Sequence, residues 1–248
     1  MVTIFALLIL DLYFAHSNFY QLEKFKEIQK PAENTKFILS DPELFRIYVP
    51  PNLKTGKKTT EIGKKLLDYR KERFMLGLLG NQRILNIDGI GVTQQQRWEN
   101  LMRLIRTTPE VDKTNLLNML NVKYVVSALA ITSPNYELVY SHKPIPQDPK
   151  EREEFEKSSI LKIYENKTSL AHAFLVPQCK VLNSEREYKE ILEKKEFNPE
   201  QMVLLDAEPK TFSCGEKTEP KGKGSVKINS YQSNTIDISV NLPSRQFL

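Results

Sequence analysis

Cysteine and histidine are scarce in this chain, which has 2 cysteines and 3 histidines among 248 residues. Cys179 and Cys214 lack both a Cys-x-x-Cys spacing and a nearby histidine, so they predict neither a zinc site nor a disulfide framework. The two thiols remain free to pair in an oxidising compartment. His16, His142 and His172 lie far apart in sequence. We therefore expect no metal site and no cofactor.

A hydrophobic run of full transmembrane length is also missing. Met1 to Ala15 is the most apolar stretch, but a helix needs roughly 20 such residues to cross a bilayer. It also lacks the positively charged start of a signal peptide, although Ala15-His16-Ser17 resembles a cleavage site. A buried element, an atypical signal peptide and the end of a transmembrane helix all remain open. We favour the end of a transmembrane helix at residues 1–17, because the run closes on the interface-type aromatics Tyr13 and Phe14. On that interpretation the chain is a fragment.

The chain has no large block of one charge sign. Its 36 basic and 31 acidic residues give a net charge of +5, and the two signs are mixed along the sequence. This pattern favours a solvated mixed-charge surface over a nucleic-acid patch, which would need clustered basic residues with interleaved aromatics. A hydrophobic fraction of 40% with 27% charged residues is typical of a globular protein and excludes a chain that is disordered throughout.

What the sequence does contain is alternating apolar residues. The stretches Leu116–Ser127 and Leu161–Val176 both show the two-residue period of a half-buried strand. We expect them to belong to one sheet, with Glu165-Asn166-Lys167 as a turn between two strands of the longer stretch. Further strands are predicted at Phe45–Val49, at Tyr136–Tyr140 as the hairpin partner of the Val122 strand, at Met202–Leu205, and as a hairpin across Val226–Leu242.

Helices are predicted where the apolar period is longer or a capping pattern occurs. They are expected after Pro31, from about Glu61 to Leu78, from a Thr93-x-x-Gln96 capping box to Ile105, from Thr114 to Leu120, and from Ser184 to about Lys195.

Together these patterns predict an α+β protein. Residues 18–143 are expected to form a mixed sheet with peripheral helices, 144–159 a charged linker or insertion, and 160–248 a β-rich, sandwich-like portion truncated at its C-terminus. Because an isolated hairpin is only marginally stable, we expect further strands to follow in the natural protein.

The segment Asn81–Ile105 offers the most specific site hypothesis. A strand runs into Asp88-Gly89-Ile90-Gly91 and then into a helix, which is the arrangement that presents free N–H groups to a phosphate. The segment has no third spaced glycine and no Lys-Ser or Lys-Thr pair, so an ordinary turn is favoured. Trp98 is likewise interpreted as a core residue rather than a sugar platform, and His172 as structural rather than catalytic.

The order of these segments resembles the C-terminal extracytoplasmic part of the YfhO-like bacterial membrane proteins, which are related to C-type membrane glycosyltransferases. The residues that carry the resemblance are Phe45–Val49, Gly89-Ile90-Gly91 with Arg97-Trp98, Asn121–Val126, Tyr164-Glu165-Asn166 and the hairpin that contains Tyr231.

The resemblance implies a parent protein that moves a sugar from a polyprenyl-phosphate donor to a cell-envelope polymer. No position here corresponds to the family's acidic catalytic residue, so no catalytic residue is predicted and the chain's own enzymatic activity stays open. It would be a soluble roof at the cell membrane, with residues after about 17 on the extracytoplasmic side. Asp88, Gln94 and Trp98 are the candidate glycan contacts. The expected partners are the membrane and, through the parent, lipid-linked sugar and envelope glycan, with no nucleic acid.

Two alternatives remain. A non-catalytic extracytoplasmic interaction module would carry the same architecture without the reaction. A cytoplasmic nucleic-acid-binding protein, the less favoured of the two, would lose its binding steeply as salt increases.

Overall fold

The chain folds as an α+β protein with several small sheets and few helices. The computed structural model describes residues 30–50, 84–88, 95–108, 110–158, 160–210, 213–214, 224–232, 234–244 and 246–248. Its helices are α1 (Glu33–Leu39), α2 (Gln96–Thr107), α3 (Leu116–Met119), α4 (Pro149–Lys157) and α5 (Glu185–Leu192). Its strands are β1 (Arg46–Tyr48), β2 (Val122–Ser127), β3 (Tyr136–Ser141), β4 (Lys162–Asn166), β5 (Gln178–Val181), β6 (Met202–Leu205), β7 (Ser225–Tyr231) and β8 (Ile236–Asn241).

A four-stranded sheet in the order β1-β2-β4-β3 forms the centre of the fold. Strands β1 and β2 run parallel, whereas β4 pairs antiparallel with both β2 and β3. The two inner strands are buried on both faces, because Val122, Val125, Val126 and Ile163 each have no exposed surface. Such β-branched side chains pack well on a pleated surface.

Helices cover both faces of this sheet. On one face, Ile38 of α1 packs with Ile47, Tyr124 and Ile163, and Phe37 stacks on Tyr140 with 4.9 Å between ring centroids. On the other face, α2 and α3 contribute the buried side chains Met102, Leu104, Ile105, Leu116 and Leu117 to a second cluster. The sheet is therefore the middle of three layers.

Lys162 is fully buried in the sheet, with 0% of the residue exposed. Its ammonium donates hydrogen bonds to the carbonyl oxygens of Ala128, Ser158 and Ile160 at 3.3, 2.6 and 3.0 Å. Burial lowers the pKa of this amine from its ordinary value, and a more distant Glu156 acts in the opposite direction. Three carbonyl acceptors offset part of the cost of burying the charge. Lys162 thus joins the ends of β2 and α4 to the start of β4.

The predicted strand positions are largely confirmed, but one predicted pairing and one predicted strand are wrong. Strand β3 does not form a hairpin with β2, because β4 lies between them and pairs with each. The second strand predicted within Leu161–Val176 is not formed either. Between Asn166 and Val176, where every residue is described, the chain contributes an isolated bridge from Val176 to Phe247, and the next strand, β5, begins at Gln178. Alternation of apolar residues identifies a strand but carries no information on its neighbour.

The helix predictions have mixed outcomes. The helix after Pro31 and the Ser184 cap are confirmed, since Ser184 Oγ accepts a hydrogen bond from the Glu187 N–H at 3.3 Å. Helix α2 begins at Gln96 with Gln95 as its N-cap and no side-chain cap, so the predicted capping box does not start it. The expected linker contains α4, whose first N–H groups are capped by Asp148.

Two predicted segments lie outside the described residues, namely Met1–Ala15 and the helix from Glu61 to Leu78. Among the helices of the described part, none is both long enough and apolar enough to span a bilayer.

The C-terminal half holds two separate two-stranded sheets, parallel β5-β6 and antiparallel β7-β8. A disulfide joins Cys179 of β5 to Cys214. In the β7-β8 hairpin, Val226 pairs with Val240, Ile228 with Ile238, and Tyr231 with Ile236, so one face of the hairpin is apolar. The β7-β8 hairpin contacts the segment after β4 through Tyr231. The ring of Tyr231 packs edge-to-face against that of His172, with 5.0 Å between the ring centroids.

His172 connects this hairpin to Asn121. We expect the free energy of unfolding to change with pH as the His172 imidazole titrates. Nδ1 of His172 lies 3.0 Å from Asn121 Oδ1, and burial, followed by the nearby Arg46, lowers the pKa of the imidazole below its ordinary value. The folded state therefore binds a proton less readily than the unfolded state. The stability that this provides is complete above about pH 6.5 and is lost as pH falls toward the folded-state pKa.

We expect wild type to lose stability relative to His172→Gln as pH is lowered from about 7.5 to about 5. Urea unfolding of both proteins across this range measures the difference. His142→Gln, at an exposed position, controls for the loss of a histidine as such. A constant difference between wild type and His172→Gln at all pH values would contradict the prediction.

Candidate functional site

A cleft lies at the carboxyl ends of the parallel strands β1 and β2. Parallel strands that end on the same side of a sheet leave such a crevice open, and ligands of open α/β sheets bind there. The cleft has a volume of about 540 Å³, within the range of small-molecule sites. Its described walls are the C-terminal residues of β1 (Tyr48) and β2 (Ser127) with the residues that follow them (Pro50 and Leu129 to Ser133), the end of α2 (Ile105, Arg106, Thr108), the segment between α2 and α3 (Glu110, Val111, Asp112, Thr114) and the start of α3 (Leu116, Leu117).

The lining combines an apolar floor with hydroxyl and carboxylate groups. Leu116 and Leu117 are buried and form part of the floor. Glu110 and Asp112 bring carboxylates to the wall, and carboxylates accept hydrogen bonds from ligand hydroxyl groups. Such a surface suits a hydroxylated ligand of modest size.

Arg106 is the main basic group of the cleft, and it is already engaged. Its guanidinium forms ion pairs with Asp88 and, at 3.2 Å, with Glu99. Asp88 is only 3% exposed, and its N–H donates to Asn86 Oδ1 at 3.0 Å. Arg106 therefore pairs with the buried carboxylate of Asp88 behind the cleft wall. The Arg106 side chain also lines the cleft.

Tyr48 provides a neutral phenol at the end of β1. Burial raises the pKa of Tyr48 to about 12, with Arg106 acting in the opposite direction. At neutral pH the phenol is protonated, as an ordinary tyrosine is, and it retains its hydroxyl donor; the raised pKa extends this to more alkaline pH.

Of the predicted glycan contacts, Asp88 and Trp98 are not among the residues that line this cleft. Asp88 lies behind Arg106, Trp98 is half-buried and packs against the core cluster on the α2 face of the sheet, and Gln94 lies outside the described residues. The core interpretation of Trp98 agrees with this position, whereas glycan contact by any of the three residues stays a prediction. Asp88 is linked to the cleft by its ion pair with Arg106. Trp98 is linked to it by lying on the same helix, α2, as Arg106.

Sequence reasoning missed Arg106, Glu110 and Asp112. They fall at the end of a helix and in the loop after it, where no spacing or motif marks them. The cleft arises only because β1 and β2 end side by side.

In the part of the chain that the structure describes, no group of three or more His, Cys, Asp or Glu side chains is placed to hold a metal ion. Comparison with protein-family models, with curated proteins and with solved structures found no match to this chain.

Arg106 and Glu99 allow a matched test of the buried ion pair. Removing one partner of a buried ion pair costs about 3–5 kcal/mol, because the remaining charge loses its counter-ion. Arg106 is 30% exposed at its side chain, so we expect Arg106→Gln to lower the free energy of unfolding by about 3 kcal/mol, the lower end of that range.

Glu99→Gln is the control, because it removes the more exposed partner of the same guanidinium and should cost under about 1 kcal/mol. Urea denaturation of the two variants measures both values. Equal losses would show that Asp88 does not depend on Arg106.

Proposed function

We propose that this chain is the extracytoplasmic part of a polytopic bacterial membrane protein of the glycosyltransferase-like kind, which moves a sugar from a polyprenyl-phosphate donor to a cell-envelope polymer. The observation that carries the extracytoplasmic placement is the disulfide between Cys179 and Cys214. Both cysteines of the sequence are used in it. Structural disulfides form and persist outside the cytoplasm and are rare inside it.

The cleft supports the glycan side of the proposal. Its hydroxyl groups, the carboxylates of Glu110 and Asp112, and the guanidinium of Arg106 are the groups that hold sugar hydroxyls. In the proposed parent, this domain would form a roof over a membrane-embedded reaction site and contact the acceptor glycan. The transmembrane end at residues 1–17 and a sandwich-like completion of the β-rich half belong to the same proposal.

A non-catalytic interaction module is the second candidate, and one observation favours it. The apolar face of the β7-β8 hairpin is half open to solvent, with Tyr231 39%, Ile236 48% and Val240 40% exposed. Apolar patches of this kind mark surfaces that contact other proteins.

The compartment is tested through the two thiols. Cells that express the full chain are lysed in the presence of a polyethylene-glycol maleimide, with and without prior reduction. We expect no gel shift without reduction and a shift by two adducts after it, since the chain has 2 cysteines and both are disulfide-bonded. Two adducts without reduction would place the domain in the cytoplasm and overturn the proposal.

The cleft is tested with glycans. The full chain in nanodiscs is titrated with soluble bacterial envelope polysaccharides, and binding is measured by surface plasmon resonance. Because each carboxylate is worth about 0.5–1.5 kcal/mol as a hydrogen-bond partner, we expect Glu110→Gln with Asp112→Asn to weaken binding about tenfold.

The control double variant is Glu151→Gln with Glu200→Gln, two exposed carboxylates that do not line the cleft. Glycan binding that both double variants weaken equally would show that the cleft is not the site. Absence of glycan binding by wild type would favour the interaction module.

A further inference from the structure

A second concave site lies between α2 and α5, away from the mouth of the cleft. Its volume is about 630 Å³, which again falls in the range of small-molecule sites. The described residues that line it come from α2 (Arg97, Asn100, Leu101, Arg103, Leu104, Thr107), α5 (Glu185, Arg186, Tyr188, Lys189, Leu192) and α3 (Met119). We call it the helical groove.

The floor of the helical groove is apolar. Leu101, Met119 and Leu192 are partly buried and pack against the core cluster beneath them, to which Leu104 belongs. A floor of aliphatic side chains offers dispersion contacts and burial to a hydrocarbon chain, but it offers few hydrogen-bond partners to a sugar.

The rim of the helical groove is basic. Arg97, Arg103, Arg186 and Lys189 line it, against the single acid Glu185. The carboxylate of Glu185 accepts a hydrogen bond from Asn100 Nδ2 at 3.0 Å.

Two of the rim cations have an acidic partner within hydrogen-bond distance. Arg97 forms an ion pair with Asp206, and Arg186 binds Glu190 at 2.8 Å. Lys189 approaches Glu193 only to 3.6 Å. In the described part of the chain, no ion pair involves Arg103. Arg103 and Lys189 are therefore the rim cations best placed to bind a negatively charged group.

Contacts across the helical groove hold its walls in place without a ligand. Asn100 of α2 binds Glu185 of α5. The carboxylate of Asp206 forms an ion pair with Arg97 of α2. It also accepts a hydrogen bond from the Tyr188 hydroxyl of α5 at 2.8 Å. A groove that is braced in this way loses little entropy when a ligand binds.

We propose that the helical groove binds a single anionic amphiphile, with its aliphatic chain on the leucine and methionine floor and its carboxylate or phosphate head between Arg103 and Lys189. The concave shape suits one molecule. A surface that docks on a bilayer instead presents its apolar side chains outward. This inference does not rest on the proposed glycan function, since it uses different residues of α2.

Photoaffinity labelling of the full chain in zwitterionic nanodiscs tests the proposal. The probes are dodecanoic acid and dodecyl phosphate with a diazirine at the end of the chain, and the uncharged control probe is the corresponding dodecanol. We expect both anionic probes to label peptides that contain the floor residues Leu101, Leu104, Met119 and Leu192, and dodecanol to label them far less. Equal labelling by dodecanol would overturn the proposal.

Charge reversal locates the head group. Arg103→Glu with Lys189→Glu should reduce floor labelling by the anionic probes about tenfold, because two attractions become repulsions. Lys180→Glu with Lys227→Glu changes the net charge equally at two exposed strand positions and should leave the labelling unchanged. Circular dichroism checks that both double variants are folded, and the milder Arg103→Gln with Lys189→Gln replaces the first pair if it is not.

A competition experiment distinguishes a free amphiphile from a bilayer lipid. Excess unlabelled dodecanoate below its micellar concentration should abolish floor labelling. Competition by anionic phospholipid in the nanodisc, without any by dodecanoate, would show a bilayer contact and overturn the single-molecule site. Labelling that charge reversal leaves intact would overturn the head-group assignment.

Discussion

The central constraint on this structure is that β2 and β4 must be buried on both faces. All but one residue of each strand is buried, so the sheet needs a layer above and a layer below it. Helix α1 provides one layer and α2 with α3 the other. The buried ammonium of Lys162 is tolerated at the end of this arrangement because three backbone carbonyls surround it. Moving β4 out of the sheet would open the core and separate the Lys162 ammonium from the Ala128 carbonyl next to β2.

The position of α2 follows from this layering, and both candidate sites depend on it. At its C-terminal end, Arg106 holds the buried Asp88 and reaches the cleft beside β1 and β2. Farther along α2, Arg103 on the rim and Leu101 on the floor line the helical groove that α2 forms with α5. The same helix therefore presents a polar surface at one place and an apolar floor with a cationic rim at another. A hydroxylated ligand and an aliphatic anion need opposite kinds of lining, so the two sites are suited to different ligands.

Local patterns in the sequence were sufficient for most strands and several helices, because alternation and capping are properties of neighbouring residues. Strands β2, β4, β7 and β8 and the Ser184 cap were predictable for this reason. The pairing of β2 with β4 was not, since the strand that follows β2 in the chain is β3. The start of α2 was also misplaced, as a capping pattern at Thr93 matches many helices but does not set where this one begins.

By itself, the sequence determined an α+β composition, the apolar faces of the strands and the amphipathic terminal hairpin. It left open whether Cys179 and Cys214 pair, and the tertiary structure decided this by bringing them together. The structure also decided which polar residues come together: Arg106 pairs with Asp88 behind the cleft, and Arg103 and Lys189 line the same groove. The physical reason is that periodicity records which side of an element is apolar, whereas a site is formed by residues that are distant in sequence and become neighbours only when the layers pack.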